Sequence, residues 1–274
     1  MPARRNPQLT LLVGAGRMGS ALLRGWAAQG IAPLAAIEPV PSAELRAFAR
    51  RHRIGLLSSI EEASGASIGA CVVALKPQIL RTEAIRLAPI ARSGTLMLSI
   101  AAGTGIASLR RAWGQKARIV RAMPNMPGAI GQGISALYAP RGIGTAERAR
   151  AEALLAGLGP TLWVAREELI DSVTAVSGSG PAYVFLLVEC LARAAQEQGL
   201  PASVAERLAR ATISGAGALL QADPRAPALL RRDVTSPGGT TEAALKVLMG
   251  DDALAKLVGH AVAAARARAT ALRD

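Results

Sequence analysis

Between residues 8 and 27 the chain sets an apolar run, a glycine turn and a helical pattern in immediate succession. Gln8-Leu-Thr-Leu-Leu-Val13 is followed by Gly14-Ala15-Gly16-Arg17-Met18-Gly19, and then Ala21, Leu22, Leu23, Trp26 and Ala27 recur at helical spacing. A short continuous apolar run suits a strand buried on both faces. In this order Gly14 makes the tight turn, Gly16 lets a phosphate approach the backbone, and Gly19 lets helix and strand pack closely. Together they form the dinucleotide fingerprint of a βαβ unit.

Further strand patterns extend the same sheet. Leu34–Ile37 is a second strand ending at Glu38, 19 residues beyond Gly19. An acid there accepts hydrogen bonds from the adenosine ribose hydroxyls and repels a 2′-phosphate, which favours NADH. The competing reading makes Glu38 a cap for the next helix, with Pro41 and Ser42. Arg46, Arg50, Arg51 and Arg53 on that helix are suited to neutralise a 2′-phosphate, so NADPH stays open. Three further strands end in special-backbone loops: 70–75 before Lys76-Pro77, 95–100 before Ala101-Ala102-Gly103, and 118–122 before Met123-Pro-Asn-Met-Pro-Gly128. Proline stops the first of these and starts a helix, with Lys76 at the carboxyl edge of the sheet where ligands bind in open α/β folds. A row of such loops beside a dinucleotide turn reads as a cleft wall. Strands at 134–138 and 161–164, with a helix near 146–157 between them, complete the sheet.

From Glu167 onward no strand is expected, only alanine- and leucine-rich helices at 167–175, 180–198, 202–221, 240–249 and 251–272. Ser177-Gly-Ser-Gly-Pro181 is read as a break between the first two, with Pro181 in a favoured opening turn. The expected fold is therefore α/β: an N-terminal Rossmann-type doubly wound sheet (residues 1–165) and a C-terminal all-helical domain (residues 166–274). A second anion-holding turn lies in the helical part, Val234-Thr-Ser-Pro-Gly-Gly-Thr-Thr-Glu242. Proline and two glycines free the backbone, and the first N–H groups of the adjoining helix have no intrahelical partner, so a carboxylate or phosphate can rest there without any lysine. The plainer reading is a turn and a helix capped by Thr240 or Thr241. One turn for a cofactor and one for a substrate point to a two-substrate enzyme.

Composition excludes other classes. The net charge of +13 comes from 32 basic residues, only four of them lysine, scattered along the chain without a run longer than two. With 3% aromatic residues there is neither a stacking platform nor a dense basic element, so no nucleic-acid partner is expected. Cys71 and Cys190 stand apart, in no metal or redox spacing, and read as buried small side chains; no metal is expected. Glycine, proline and arginine interrupt every long apolar run, so no membrane span is expected. Arg4 and Arg5 before an apolar run imitate a signal segment, but Arg17 lies inside it, and the chain reads as cytoplasmic.

Taken together, Gly14–Gly19, Leu75-Lys76-Pro77-Gln78, Ala101-Ala102-Gly103, Arg121-Ala-Met-Pro-Asn-Met-Pro127, Ser177-Gly-Ser-Gly-Pro-Ala-Tyr183 and Val234–Thr241 resemble the pyrroline-5-carboxylate reductases, in that family's order and over nearly the whole chain. The resemblance implies hydride transfer from NADPH or NADH to the ring imine carbon of 1-pyrroline-5-carboxylate, giving L-proline. It implies a cofactor on Gly14, Ala15, Gly16, Arg17, Met18, Gly19, Glu38, Leu75, Lys76, Pro77, Ala101, Ala102 and Gly103. Substrate would lie on Ser236, Gly238, Gly239, Thr240 and Thr241, with Thr241 polarising the imine and Ser236 assisting. The helical half would interlock in a homodimer, assembled further into a decamer. Two departures stand out: Arg231-Arg232-Asp233-Val234 moves an acid one place from the family's pattern, and Glu38 replaces the small or hydroxylated residue of NADPH-preferring members. The alternatives are a reductase of another cyclic imine and a non-catalytic NAD(P)-binding oligomeric sensor.

Overall fold

A computed structural model describes residues 8–63 and 65–273. Arg4 and Arg5 lie outside the described residues. By chain packing, the residues up to Gly178 together with those from Arg266 onward form one compact unit, and Ser179–Ala265 form a second.

The first unit contains β1 (Leu9–Val13), α1 (Arg17–Ala28), β2 (Leu34–Ile37), α2 (Ala43–His52), β3 (Gly55–Leu57), β4 (Ile68–Val73), α3 (Pro77–Glu83), α4 (Ala88–Arg92) and β5 (Leu96–Ser99). It continues with α5 (Ile106–Trp113), β6 (Arg118–Met123), β7 (Ser135–Tyr138), α6 (Thr145–Leu155), β8 (Thr161–Trp163) and α7 (Leu169–Val173). The eight strands lie in the order β3-β2-β1-β4-β5-β6-β7-β8. Neighbours are parallel except β6 and β7. The chain leaves β1 toward β2 on one side and toward β4 on the other. That reversal is the topological switch point at which such sheets open a ligand crevice. Register brings Val13, Ile37 and Val73 level, so the turns after β1, β2 and β4 meet at one edge.

Both faces of the sheet are covered, which is why the strands read as unbroken apolar runs. Successive side chains point to opposite faces. Leu12, Ala36, Val72, Leu98 and Val120 meet Leu22, Leu23, Trp26 and Leu154 on one side. Leu11, Val13, Cys71, Val73 and Met97 meet Leu80, Leu87, Leu109 and Trp113 on the other. Each large apolar side chain so buried contributes roughly 1.5–3 kcal/mol. The two buried indoles also satisfy their N–H groups: Trp26 donates to the Leu154 carbonyl (2.7 Å) and Trp113 to that of Ala84 (2.9 Å). Burial pushes the Cys71 thiol up to about 12, so it packs as a small apolar group.

The second unit holds α8 (Gly180–Glu197), α9 (Ala202–Ala222), α10 (Pro227–Asp233), α11 (Thr240–Met249) and most of α12 (Ala253–Ala271). No strand comes after β8 among the described residues. Ser177–Pro181 parts α7 from α8, through a π-turn over Thr174–Gly178 and a bend at Ser179, and Pro181 lies in the opening turn of α8, where no N–H partner is required. Three expectations need correction. Taken together, Leu169–Glu197 is long and apolar enough to cross a membrane by length and composition alone. Cys190, on α8, is exposed rather than buried. The edge strand β3 and the short helix α10 were not foreseen, being only three and seven residues long.

Candidate active site

The sheet edge presents the glycine turn as the fingerprint requires. Gly14 has φ of +89°, a conformation that favours glycine. A Cβ on Gly19 would collide with the Gly14 carbonyl oxygen, whereas one on Gly16 would meet nothing within 4 Å. Helix α1 starts with no side-chain cap and no acid in its first turn. Its first N–H groups and the positive end of its dipole therefore face the open space over Gly16, a place suited to a diphosphate.

Glu38 leaves the end of β2 and turns onto this same turn, where its Oε2 accepts a hydrogen bond from the Ala15 N–H at 2.8 Å. It does not cap α2; the Ser42 hydroxyl does that, accepting from the Leu45 N–H at 3.1 Å. A cavity of about 560 Å³ is lined by Gly14, Gly16, Glu38, Leu75 and Lys76, together with Val40 and Ile79. Lys76 directly precedes α3 and Pro77 opens it. Five of the expected cofactor residues thus surround one crevice, and the open space at Gly16 fits a dinucleotide there. Arg17 reaches from the turn to the Met126 sulfur (3.6 Å). Pro77, Ala102 and Gly103 line a separate cavity of about 140 Å³ with Asp171, Thr174 and Leu272.

Asp171 of that second cavity belongs to a charge cluster of which the motifs contained only Arg121. Arg121 of β6 and Asp171 of α7 are almost wholly buried, with side-chain exposures of 1% and 2%. Glu167 accepts from Arg121 Nη1 at 3.1 Å, and Arg273 donates to Asp171. A charged residue in an otherwise apolar strand was the available signal, since a buried arginine needs acids beside it.

In the second unit, the residues from Ser236 to Gly239 lead into α11. Gly238 has φ of +71°. Of the amides at Gly238, Gly239 and Thr240, where the resemblance places the substrate, two are engaged within the turn itself. Gly238 N–H donates to Glu242 Oε2 at 2.8 Å, and Gly239 N–H donates to the Ser236 carbonyl at 3.0 Å. Glu242 stands in the first turn of the helix, four residues on, and so reaches back as a local acceptor. The plainer capping reading fails as well, because α11 has no side-chain cap from Thr240 or Thr241. Among the described residues no hydrogen bond engages the Ser236 or Thr241 hydroxyl. The displaced acid of this segment also finds a role. Arg225 Nη2 joins Asp223 (2.8 Å) to Asp233 (2.9 Å), fastening the α9–α10 connection to the end of α10 just before the turn. That arginine holds the Asp223 carboxyl below its usual range.

A doubly wound sheet with this glycine turn, an acid after β2 and an open crevice at the switch point defines a dinucleotide-binding protein of the Rossmann class. Residues 167–272 match the family model described as pyrroline-5-carboxylate reductase dimerisation. The pyrroline-5-carboxylate reductase of Pseudomonas aeruginosa is 42% identical over 264 residues, covering 96% of each chain. Among solved structures, that of a pyrroline-5-carboxylate reductase from Coxiella burnetii superposes with a TM-score of 0.90 at 32% identity, over 98% of this chain and 100% of the other. The Plasmodium falciparum pyrroline carboxylate reductase, solved with NADP bound, gives 0.80 at 28% identity, over 98% and 99%. The chain belongs to the pyrroline-5-carboxylate reductase family.

Proposed function

We propose that this protein reduces 1-pyrroline-5-carboxylate to L-proline at the expense of NADH or NADPH, the last step of proline synthesis. The observation that carries the reading is the turn from Ser236 to Thr241. In a chain of this family it presents two uncommitted hydroxyls at the uncapped start of a helix. When bound, the dinucleotide supplies the hydride equivalent; the glycine turn, Glu38, Leu75-Lys76-Pro77 and Ala101-Ala102-Gly103 hold it. The chain's own task is to orient the imine and raise its electrophilicity. The substrate carboxylate rests at the α11 start, on the Thr240 and Thr241 amides, on those of Gly238 and Gly239 as their internal acceptors yield, and on the Ser236 hydroxyl. Thr241 donates its hydroxyl hydrogen bond to the ring nitrogen, drawing electron density from the C=N carbon, and the nitrogen gains the proton that balances the reduction.

Residues 1–165, with the stretch up to Gly178 and the residues from Arg266 onward that pack in the same unit, serve the dinucleotide, and the rest of 166–274 the substrate and the homodimer, from which a decamer is built. The apolar face of α8, with Val184, Phe185, Leu187 and Leu191 exposed in the single chain, is covered by a second copy rather than by lipid. The protein is accordingly a cytoplasmic enzyme without a nucleic-acid partner. Light scattering at micromolar concentration, without detergent, is expected to return a dimer or a multiple of it; a monomer would overturn this assignment.

Glu38 sets the cofactor preference, because its carboxylate stands against the glycine turn where a 2′-phosphate would be repelled. Glu38→Ser is expected to move the NADPH/NADH ratio of kcat/KM toward NADPH by about tenfold. An unmoved ratio would reduce Glu38 to a brace for the Ala15 amide. The reaction itself is checked by chiral chromatography of the products after incubation with NADH and the five-membered imine acid. L-proline is expected in amounts equal to the NADH consumed; NADH consumption without proline would point to another imine.

A further inference from the structure

The loop Ala101–Gly105 is gripped from two sides, by Glu167 and by Leu272, neither of which belongs to a quoted motif. At its far end the Ile106 N–H, the first of α5, donates to Glu167 Oε1 at 2.7 Å, while Gly105 before it supplies no side-chain cap. The same carboxylate oxygen accepts from Arg121 Nη1. In the middle of the loop, Gly103 has φ of +72° and lies so close to the Leu272 carbonyl that an added Cβ would come within 2.9 Å of that oxygen. Leu272 is held there through its neighbours: Thr270 donates to Asp171 Oδ2 at 3.1 Å, and Arg273 donates to the same oxygen. Asp171 also faces Arg121 at 4.0 Å, so the two grips share one buried ion cluster.

From this geometry we infer that Glu167 is a positioning residue for the dinucleotide site. With Arg121, Asp171 and Arg273 it sets the Ala101–Gly105 loop, and so makes the C-terminal end of the chain part of that site. The inference rests on the reductase reading, which assigns Ala101-Ala102-Gly103 to the cofactor. What separates the cluster from a clamp serving stability alone is where its grips fall: Glu167 takes the Ile106 N–H at the end of the loop, and Leu272 lies against Gly103 in the middle of it.

The test uses the full-length chain and NADH alone, with affinity read from the change in nicotinamide fluorescence in the absence of any imine. Glu167→Ala is expected to weaken NADH binding about tenfold, the worth of a lost charge-assisted hydrogen bond. Glu167→Gln keeps an acceptor for the Ile106 N–H and is expected to weaken it about threefold. Arg273→Met is expected to weaken binding severalfold, with Arg273→Lys restoring most of it. In steady-state assays the NADH KM should track these changes while the imine KM stays within about twofold. NADH affinity unchanged in folded Glu167→Ala and Arg273→Met proteins would overturn the inference. Should Glu167→Ala not fold, Glu167→Gln and Arg273→Met decide. Failure of the unmodified chain to bind NADH would instead overturn the reductase reading on which this one stands.

Discussion

A Thr241→Val enzyme is expected to lose between about 10- and 1000-fold in kcat/KM for the cyclic imine while binding NADH like the unmodified protein. The substitution is nearly isosteric and leaves α11 intact, so what it removes is the hydroxyl. A neutral cyclic imine accepts hydride poorly unless its nitrogen is protonated or hydrogen-bonded, and the hydroxyl at the opening of α11 is the donor proposed for this. The range is wide because a water molecule, or imine already protonated in solution, restores part of the polarisation. Ser236→Ala should show a smaller loss, carried mainly by the imine KM, since that hydroxyl is the one proposed to assist the carboxylate. An unchanged kcat/KM in Thr241→Val would remove Thr241 from the chemistry.

The second large effect is expected at Gly19. Its missing side chain is what lets α1 lie against β1: a Cβ would overlap the Gly14 carbonyl and come within 3.3 Å of Leu12. Gly19→Ala must therefore push the helix away from the strand and disturb Leu22, Leu23 and Trp26, which are buried beneath it. Overpacking of this kind costs about 1–3 kcal/mol, a fall in Tm of about 2–12 °C for a unit of this size, with loss of NADH binding as the turn deforms. Gly16→Ala separates the two effects. At that position the backbone is extended, with φ of −65° and ψ of −165°, and a methyl meets no protein atom within 4 Å. That variant should melt like the unmodified protein and still bind NADH weakly, because the methyl stands in the crevice. Thermal melts and NADH titrations of both variants check this; a Gly19→Ala protein with an unchanged Tm would contradict it.

Seven of the eight strands were legible because they lie in a sheet covered on both faces and therefore read as unbroken apolar runs. The start of α11 was legible because glycines and hydroxyls mark it. Gly55–Leu57 escaped because three residues at an edge carry no period. Pro227–Asp233 escaped because a seven-residue helix between prolines resembles a loop. The glycine turn and Glu38 were readable as motif, yet the contact between Glu38 and the Ala15 amide was not, since it depends on the register of β1 with β2. That the Glu242 carboxylate takes the Gly238 amide depends on a side-chain path that sequence does not encode locally. The cluster of Arg121, Glu167, Asp171 and Arg273 joins residues up to 152 positions apart, and only the single buried charge in β6 hinted at it.

The most direct test of the central claim is the initial rate of NADH and of NADPH oxidation with 1-pyrroline-5-carboxylate, run beside the corresponding six-membered imine acid. The account predicts turnover with the five-membered ring well above that with the six-membered one, with NADH at least as effective as NADPH. Faster reduction of the larger ring, or no oxidation of either cofactor with either imine, would contradict it.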